Sequence, residues 1–159
     1  RFAPGFAETH SGPHGKPSLG VDYLHVAVDD HSRYAYAEPL PDERGVTTAA
    51  FLQRALAHFR AQGLTVQRIL TDNGKNYTSQ VFLQTAAAHG IQLKRTRPYL
   101  PQTNGKAEAF NKILQNEWAY IRPYTSNLER LDALPDFLAY YNHQRPHGGI
   151  GGAVPTSRL

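Results

Sequence analysis

Cysteine is absent from this chain of 159 residues, which excludes disulfide bonds and zinc sites built on cysteine thiolates. The sequence also contains no apolar run long enough to span a membrane and no signal-peptide pattern. Internal repeats and low-complexity tracts are missing as well. We therefore expect one α/β domain with its own core, in an intracellular, cytoplasmic setting.

Acidic residues are scarce in residues 91–114, and this segment accounts for the positive net charge of the chain. The formal net charge is +4 at pH 7, and residues 91–114 carry this whole excess. Such a segment suits binding of a polyanion such as DNA, although scattered surface lysines would give the same count. The basic residues in it are Lys94, Arg95, Arg97, Lys106 and Lys112, and the single acid is Glu108.

Turn residues and apolar spacing divide the chain into an N-terminal arm, residues 1–20, and a core, residues 21–159. The arm is rich in glycine and proline and is expected to be extended. The core has the predicted order β-β-α-β-α-β followed by helices, which indicates a mixed sheet with helices packed on it. The predicted strands are residues 23–28, 34–40, 65–71 and 91–96, and the predicted helices are residues 47–62, 79–90, a segment from 104 and a segment from 126 with a break at Pro135. Ser79 is the predicted cap of the second helix, and Ser126 is predicted to form a capping box with Glu129 at the last. Apolar spacing predicts a buried stripe on the helix from 104, formed by Ala107, Phe110, Leu114 and Trp118.

Two carboxylates lie in short motifs beside flexible turns. Asp72 ends an apolar strand and begins a turn in residues 68–74 (RILTDNG), and Glu108 ends a loop that leads into a helix in residues 101–108 (PQTNGKAE). The two acids are separated by 35 residues. Carboxylates on two such elements can converge on hard cations such as Mg²⁺, and two of these ions can act on one phosphodiester. The pair therefore predicts metal-dependent phosphodiester chemistry.

These motifs, together with three further segments, resemble the catalytic core of DDE transposases, the retroviral-integrase-like group found in bacterial insertion sequences. The further segments are residues 23–33 (YLHVAVDDHSR), 97–99 (RPY) and 140–147 (YYNHQRPH). The resemblance covers nearly all of residues 23–159. It implies an RNase H-like fold and a metal site of three acids, Asp, Asp and Glu, in which Asp72 is the second ligand and Glu108 the third.

The resemblance also implies a reaction, a cofactor and partners. The enzyme would cleave a phosphodiester with water at the transposon end and join the freed 3′-hydroxyl to target DNA, with the help of two Mg²⁺ or Mn²⁺ ions. Transposases of this type act on DNA as homodimers or larger assemblies and need no membrane. The residues expected to hold DNA are Lys94, Arg95, Arg97, Asn104, Lys106 and Lys112.

The first acid of the family pattern has no counterpart in this sequence. In the family it lies on a central strand before the hairpin of residues 23–40, and the only acid upstream of Asp22 is Glu8, in a stretch that does not read as a strand. Asp29 and Asp30 come at the far end of the next strand, so they are poor substitutes. We therefore expect an α/β, RNase H-like mixed sheet without its first strand, and a metal site that is incomplete in this chain.

Each of the two motifs also has a plainer interpretation. Asp72 can simply close its turn with Asn73 and Gly74, and Glu108 can complement the dipole of its helix. A different class of function stays open too, namely a catalytically inactive remnant that keeps only DNA or protein binding. A nuclease of another RNase H-like branch agrees less well with the transposase-like segments at residues 103–108 and 141–146.

Overall fold

The computed structural model of the chain describes residues 9–11, 17–19, 23–96 and 105–159. Within these ranges no helix is long and apolar enough to cross a membrane. The elements in chain order are β1 (Thr9–Ser11), β2 (Pro17–Leu19), β3 (Tyr23–Val28), β4 (Ala35–Leu40), α1 (Gly45–Ala61), β5 (Arg68–Thr71), α2 (Gln80–Ala88), β6 (Gln92–Arg95), α3 (Gly105–Leu114), a π-helical turn (Gln115–Ala119), α4 (Asn127–Asp132), α5 (Leu134–His143) and two 3₁₀ turns (Gly148–Ile150 and Pro155–Arg158).

The two short strands near the start of the chain pair antiparallel with each other, with Thr9 opposite Leu19 and Ser11 opposite Pro17. The sequence predicted only an extended arm over residues 1–20, so this pairing adds to that prediction. Pro17 is the first residue of β2, where a strand tolerates the missing N–H group. Neither strand pairs with any other described strand.

The β3–β4 pair is the predicted antiparallel hairpin, with Val28 opposite Ala35 at its closed end. Asp29 organises the turn, because its carboxylate accepts hydrogen bonds from both the N–H and the hydroxyl of Ser32 at 2.7 Å. Arg33 completes the turn with a positive φ of 67°, which non-glycine residues seldom adopt. The turn therefore has a defined shape, which fixes the positions of Asp29 and Asp30.

The β5–β6 pair is parallel, with Arg68 opposite Gln92 at its start. The predicted strand of residues 65–71 is wrong at its beginning, since the paired residues start at Arg68. α1 and α2 cover one face of this pair, and the predicted cap of α2 is confirmed because Ser79 Oγ accepts the Phe82 N–H at 3.4 Å. The buried residues of this cluster are Ala49, Leu52, Leu56, Phe82, Ala86 and Ile91.

The β3–β4 hairpin has helices on both of its faces. On one face α3 and α5 pack through Phe110 and Tyr141, whose ring centroids lie 4.7 Å apart in an edge-on arrangement. On the other face α1 packs through Phe51 and Phe59. The hairpin is therefore the central layer of its own core.

The last helical region is broken near Pro135, as predicted from the sequence. Pro135 lies in the first turn of α5, directly after α4 ends, and there its missing N–H leaves no helical hydrogen bond unmade. The predicted cap of α4 is confirmed, because Ser126 Oγ accepts the Glu129 N–H at 3.1 Å. The Glu129 carboxylate accepts the N–H of Thr125 at 2.7 Å instead of that of Ser126, so this half of the capping box is displaced by one residue.

The β3–β4 and β5–β6 pairs are not joined by any described strand. Of the strands in the described ranges, β3 pairs only with β4 and β5 only with β6. The described strands therefore form three separate two-stranded sheets. β5 does not pair with β3, so each of these two strands has one edge without a described strand partner.

Candidate active site

Asp72 follows the last residue of β5 and is exposed. Its Oδ1 accepts the N–H of Gly74 at 2.8 Å, which is the turn contact of the plainer interpretation. Its other carboxylate oxygen has no partner among the described residues. A side chain at Gly74 would place its Cβ only 2.5 Å from Asn76 Oδ1 and 3.0 Å from Asp72 Oδ1, so the side chains of Asn76 and Asp72 would have to shift. Turn closure therefore leaves one oxygen available to a ligand.

The turn after Asp72 is anchored to its surroundings by neighbouring side chains. Asn73 Nδ2 donates to the Thr96 carbonyl at 3.1 Å, which ties the end of β5 to the end of β6. Asn76 Nδ2 donates to Thr48 Oγ1 on α1 at 3.2 Å. Beside them Tyr77 is packed against α2, and burial, with a smaller effect of the nearby Asp72 carboxylate, raises the pKa of its hydroxyl. The position of Asp72 is thus set by two helices and a neighbouring strand.

Glu108 lies in the first turn of α3 and is exposed. Its carboxylate has no hydrogen-bond or ion-pair partner within residues 23–96 and 105–159. Phe110 and Leu114 on the same helix are fully buried and hold α3 against the β3–β4 hairpin. The helix therefore presents Glu108 outward, where it complements the helix dipole and is also free to bind a cation.

The start of α3 is held at the β3–β4 turn through an ion pair between Lys106 and Asp30. The hydrogen bond from Lys106 lowers the pKa of the Asp30 carboxyl; burial opposes this, and the fields of Lys106, Arg33 and Arg68 add smaller lowering effects. No described hydrogen bond or ion pair links the start of α3 to the turn at Asp72. The structure therefore places the two predicted ligands on separate, independently anchored elements.

The donor atoms suit a hard cation in kind, although the set is incomplete. Carboxylate oxygens are the ligands that Mg²⁺ prefers, and Asp72 and Glu108 both offer free ones. The part of the chain that the structure describes holds no group of three or more histidine, cysteine, aspartate or glutamate side chains that could bind a metal ion.

The predicted DNA-binding residues fall into three groups. Lys94, Arg95 and Lys112 are exposed and have no hydrogen-bond or ion-pair partner among the described residues. Lys106 is occupied by Asp30, a partner 76 positions away that no local sequence signal identifies. Arg97 and Asn104 lie outside the described residues.

Residues 140–147, which carry part of the sequence resemblance, make structural contacts. Asn142 accepts the Ala35 N–H and donates to the Ala35 carbonyl, both at 2.8 Å, which ties α5 to β4. Arg145 donates to both carboxylate oxygens of Glu117, at 2.7 and 2.5 Å, so its guanidinium is not free to hold a phosphate. Glu117 and Asn142 were not singled out by the sequence, because each acts on a residue distant in the chain.

Comparisons with known proteins identify the family to which the chain belongs. A family model described as an integrase core domain matches residues 13–101, and a second with the same description matches residues 89–155. An uncharacterized protein of Caenorhabditis elegans is 33% identical over 134 residues, which is 84% of this chain and 10% of that protein. The chain thus spans about a tenth of the length of this curated relative.

Two solved structures are similar to the chain. The catalytic core domain of BIV integrase superposes with a TM-score of 0.66 and 27% identity, over 86% of this chain and 84% of that chain. A chain of a simian T-cell lymphotropic virus intasome, in complex with PP2A regulatory subunit B56 gamma, also gives a TM-score of 0.66, with 25% identity over 89% of this chain and 48% of that chain. These superpositions confirm the predicted RNase H-like α/β fold.

Proposed function

Because the chain belongs to the integrase core domain family, we propose that it is the catalytic core of a DNA transposase that cleaves and joins phosphodiesters. The observation that carries the proposal is the state of its two motif acids. Asp72 has a free oxygen at the end of β5, and Glu108 stands exposed and without a described partner in the first turn of α3. Exposed carboxylate oxygens without described partners in both motifs are accessible to a cation, and carboxylates are ligands that Mg²⁺ prefers.

Asp72 and Glu108 would hold Mg²⁺ or Mn²⁺ in this proposal. When bound, two such ions lower the pKa of an attacking water or hydroxyl and neutralise the leaving oxygen. Lys94, Arg95 and Lys112 are free to contact DNA phosphates, which positions the DNA without reading its sequence. Lys106 can join them only by exchanging the Asp30 carboxylate for a phosphate, and Arg97 and Asn104 are proposed from the sequence alone.

The proposed reaction has two steps at one site. Water attacks a phosphorus at the transposon end, the bond from phosphorus to the 3′-oxygen breaks, and a 3′-hydroxyl is released. That hydroxyl then attacks a phosphorus of the target DNA and displaces another 3′-oxygen, which joins the two DNAs. No external oxidant or energy source is needed, because one phosphodiester is exchanged for another in the second step.

The proposed function implies DNA partners, an oligomeric assembly and a cellular location. The DNA partners are transposon ends and a target, and the protein would work as a homodimer or larger assembly. The similarity to a chain of an intasome supports assembly on nucleic acid. Because the proposed substrate is DNA of a bacterial cell, the proposal places the protein in the cytoplasm.

Charge-removing variants of the two acids test the proposal. In the full-length protein, Asp72→Asn and Glu108→Gln are expected to reduce Mg²⁺-dependent cleavage and joining by at least about 100-fold, beyond the 10- to 100-fold loss seen when only the orientation of a ligand is disturbed. They should also weaken Mn²⁺ binding, measured by electron paramagnetic resonance, while circular dichroism stays unchanged. Asp136→Asn is the matched control, because Asp136 is also an exposed acid in the first turn of a helix.

Near-normal activity in either ligand variant would refute the site assignment. The rival function, a remnant that only binds DNA or protein, rests on the sequence, which offers only two of the three acids of the family pattern. Purified residues 1–159 are accordingly expected to cleave DNA poorly, because two carboxylates seldom hold two metal ions in place. If the full-length protein binds DNA but neither cleaves it nor binds Mn²⁺, the remnant is the better description.

A further inference from the structure

One face of the β5–β6 pair packs against helices, whereas the side chains on the other face are exposed. In a parallel pair, residues opposite each other share a face, and faces alternate along each strand. Ile69 and Leu93 are opposite each other and pack against the cluster formed with α1 and α2. The other face presents only exposed side chains, which we call the open face: Arg68, Leu70, Gln92 and Lys94.

The open face has no equivalent on the β3–β4 hairpin. Both faces of that hairpin are packed, by α3 and α5 on one side and by α1 on the other. By contrast, Leu70 is 47% exposed in the middle of a strand, where an apolar side chain normally packs against a neighbouring layer. The open face is therefore an exposed sheet surface that is accessible to a binding partner.

The charge of the open face decides which partner suits it. Arg68 and Lys94 are both cationic, no acid shares the face, and Gln92 can donate further hydrogen bonds. Neither cation has a hydrogen-bond or ion-pair partner among the described residues. A second copy of this chain would bring the same positive face and be repelled, and one leucine supplies too little apolar area for a protein interface. A polyanion is the complementary partner.

The open face is electrostatically coupled to the start of α3. The field of Arg68 reaches Asp30, the residue that is paired with Lys106. Asp30 is thus an exposed acid near Arg68, and Lys106 pairs with it. From strand spacing and rise, Arg68 and Lys94 are roughly 8 Å apart at the backbone, so their long side chains can reach neighbouring groups of one extended polyanion.

We propose that the open face binds the phosphodiester backbone of duplex DNA, with Arg68 and Lys94 each contacting a phosphate. This inference rests on the proposed function and extends it, because Arg68 lies outside the basic segment of residues 91–114. Gln92 and Leu70 line the same face without contributing charge.

Salt-dependent binding of the purified chain to a duplex oligonucleotide, with EDTA to remove divalent metals, tests this inference. Each lost phosphate contact flattens the slope of log K against log salt by about 0.9. The ratio of wild-type to Arg68→Gln affinity should therefore fall about 3.5-fold between 50 and 200 mM salt, and Lys94→Gln should behave alike. Arg60→Gln is the matched control, because Arg60 is an exposed arginine near the end of α1.

The outcomes separate the open face from the catalytic proposal. A flatter slope in Arg68→Gln and Lys94→Gln, with an unchanged slope in Arg60→Gln, supports DNA on the open face whether or not the protein cleaves. If Arg68→Gln has the same slope as Arg60→Gln, the open face does not bind DNA, even where metal-dependent cleavage by the full-length protein is intact. Equal competition by polyglutamate would also overturn the assignment to DNA.

Discussion

Replacing Asn142 with leucine removes the side chain that ties α5 to β4 while keeping a similar volume. Asn142 is 4% exposed, and its amide makes two hydrogen bonds of 2.8 Å, one to the N–H and one to the carbonyl of Ala35. Ala35 is 1% exposed, so water cannot replace either bond. The variant therefore leaves a buried donor and a buried acceptor without partners.

The size of the effect follows from these two groups. Each buried backbone group that loses its partner costs about 1–3 kcal/mol, so the loss of both should lower the free energy of unfolding of Asn142→Leu by about 2–6 kcal/mol. Domains of this kind have a total stability of about 5–15 kcal/mol. For a chain of this length the melting temperature should fall by about 2–4 °C for each kcal/mol lost.

Urea unfolding followed by circular dichroism measures this change. Asn73→Leu is the control, because Asn73 makes a single amide-to-carbonyl bond at an exposed site, and its stability should stay within about 0.5 kcal/mol of the wild type. Asn142→Asp keeps the size and the acceptor but turns a carboxylate towards the Ala35 carbonyl, so it should also destabilise. Wild-type stability in both Asn142 variants would show that the bonds to Ala35 do not hold β4.

Two further predictions concern acid stability and assembly. Hydrogen bonds from Thr125, together with Arg122, lower the pKa of Glu129 from 4.5 to about 2, so its contribution to stability is complete above pH 4.5 and is lost as the pH falls towards 2. The difference in unfolding free energy between wild type and Glu129→Gln should therefore shrink over that range, and a difference that grows on acidification would contradict the reasoning. Because β3 and β5 each keep an edge without a described strand partner, we also expect a homodimer in which a second copy supplies pairing; a concentration-independent monomer in light scattering would refute this.

Local sequence signals were sufficient where a structural feature depends on neighbouring residues. The hairpin of β3 and β4, the cap at Ser79, the cap at Ser126 and the break at Pro135 all follow from side chains that act within one turn of the chain. Apolar spacing likewise predicted the buried stripe of α3, because a helix repeats its faces every three to four residues. The start of β5 was misjudged, since the β-branched Thr65 and Val66 favour a strand but lie outside the paired residues.

The amino-acid sequence by itself determined the family, the fold class and the two motif acids, Asp72 and Glu108. Tertiary structure alone decided how the charged groups are paired: Lys106 with Asp30, and Arg145 with Glu117. These partners are separated by 76 and 28 positions, and no periodicity or turn signal connects residues at such distances. The open face arises in the same way, because Arg68 and Lys94 become neighbours only when β5 and β6 pair in register. Interactions between neighbouring residues determine which helices and strands form. Packing between distant elements determines which charged side chains remain unpaired and can bind a ligand.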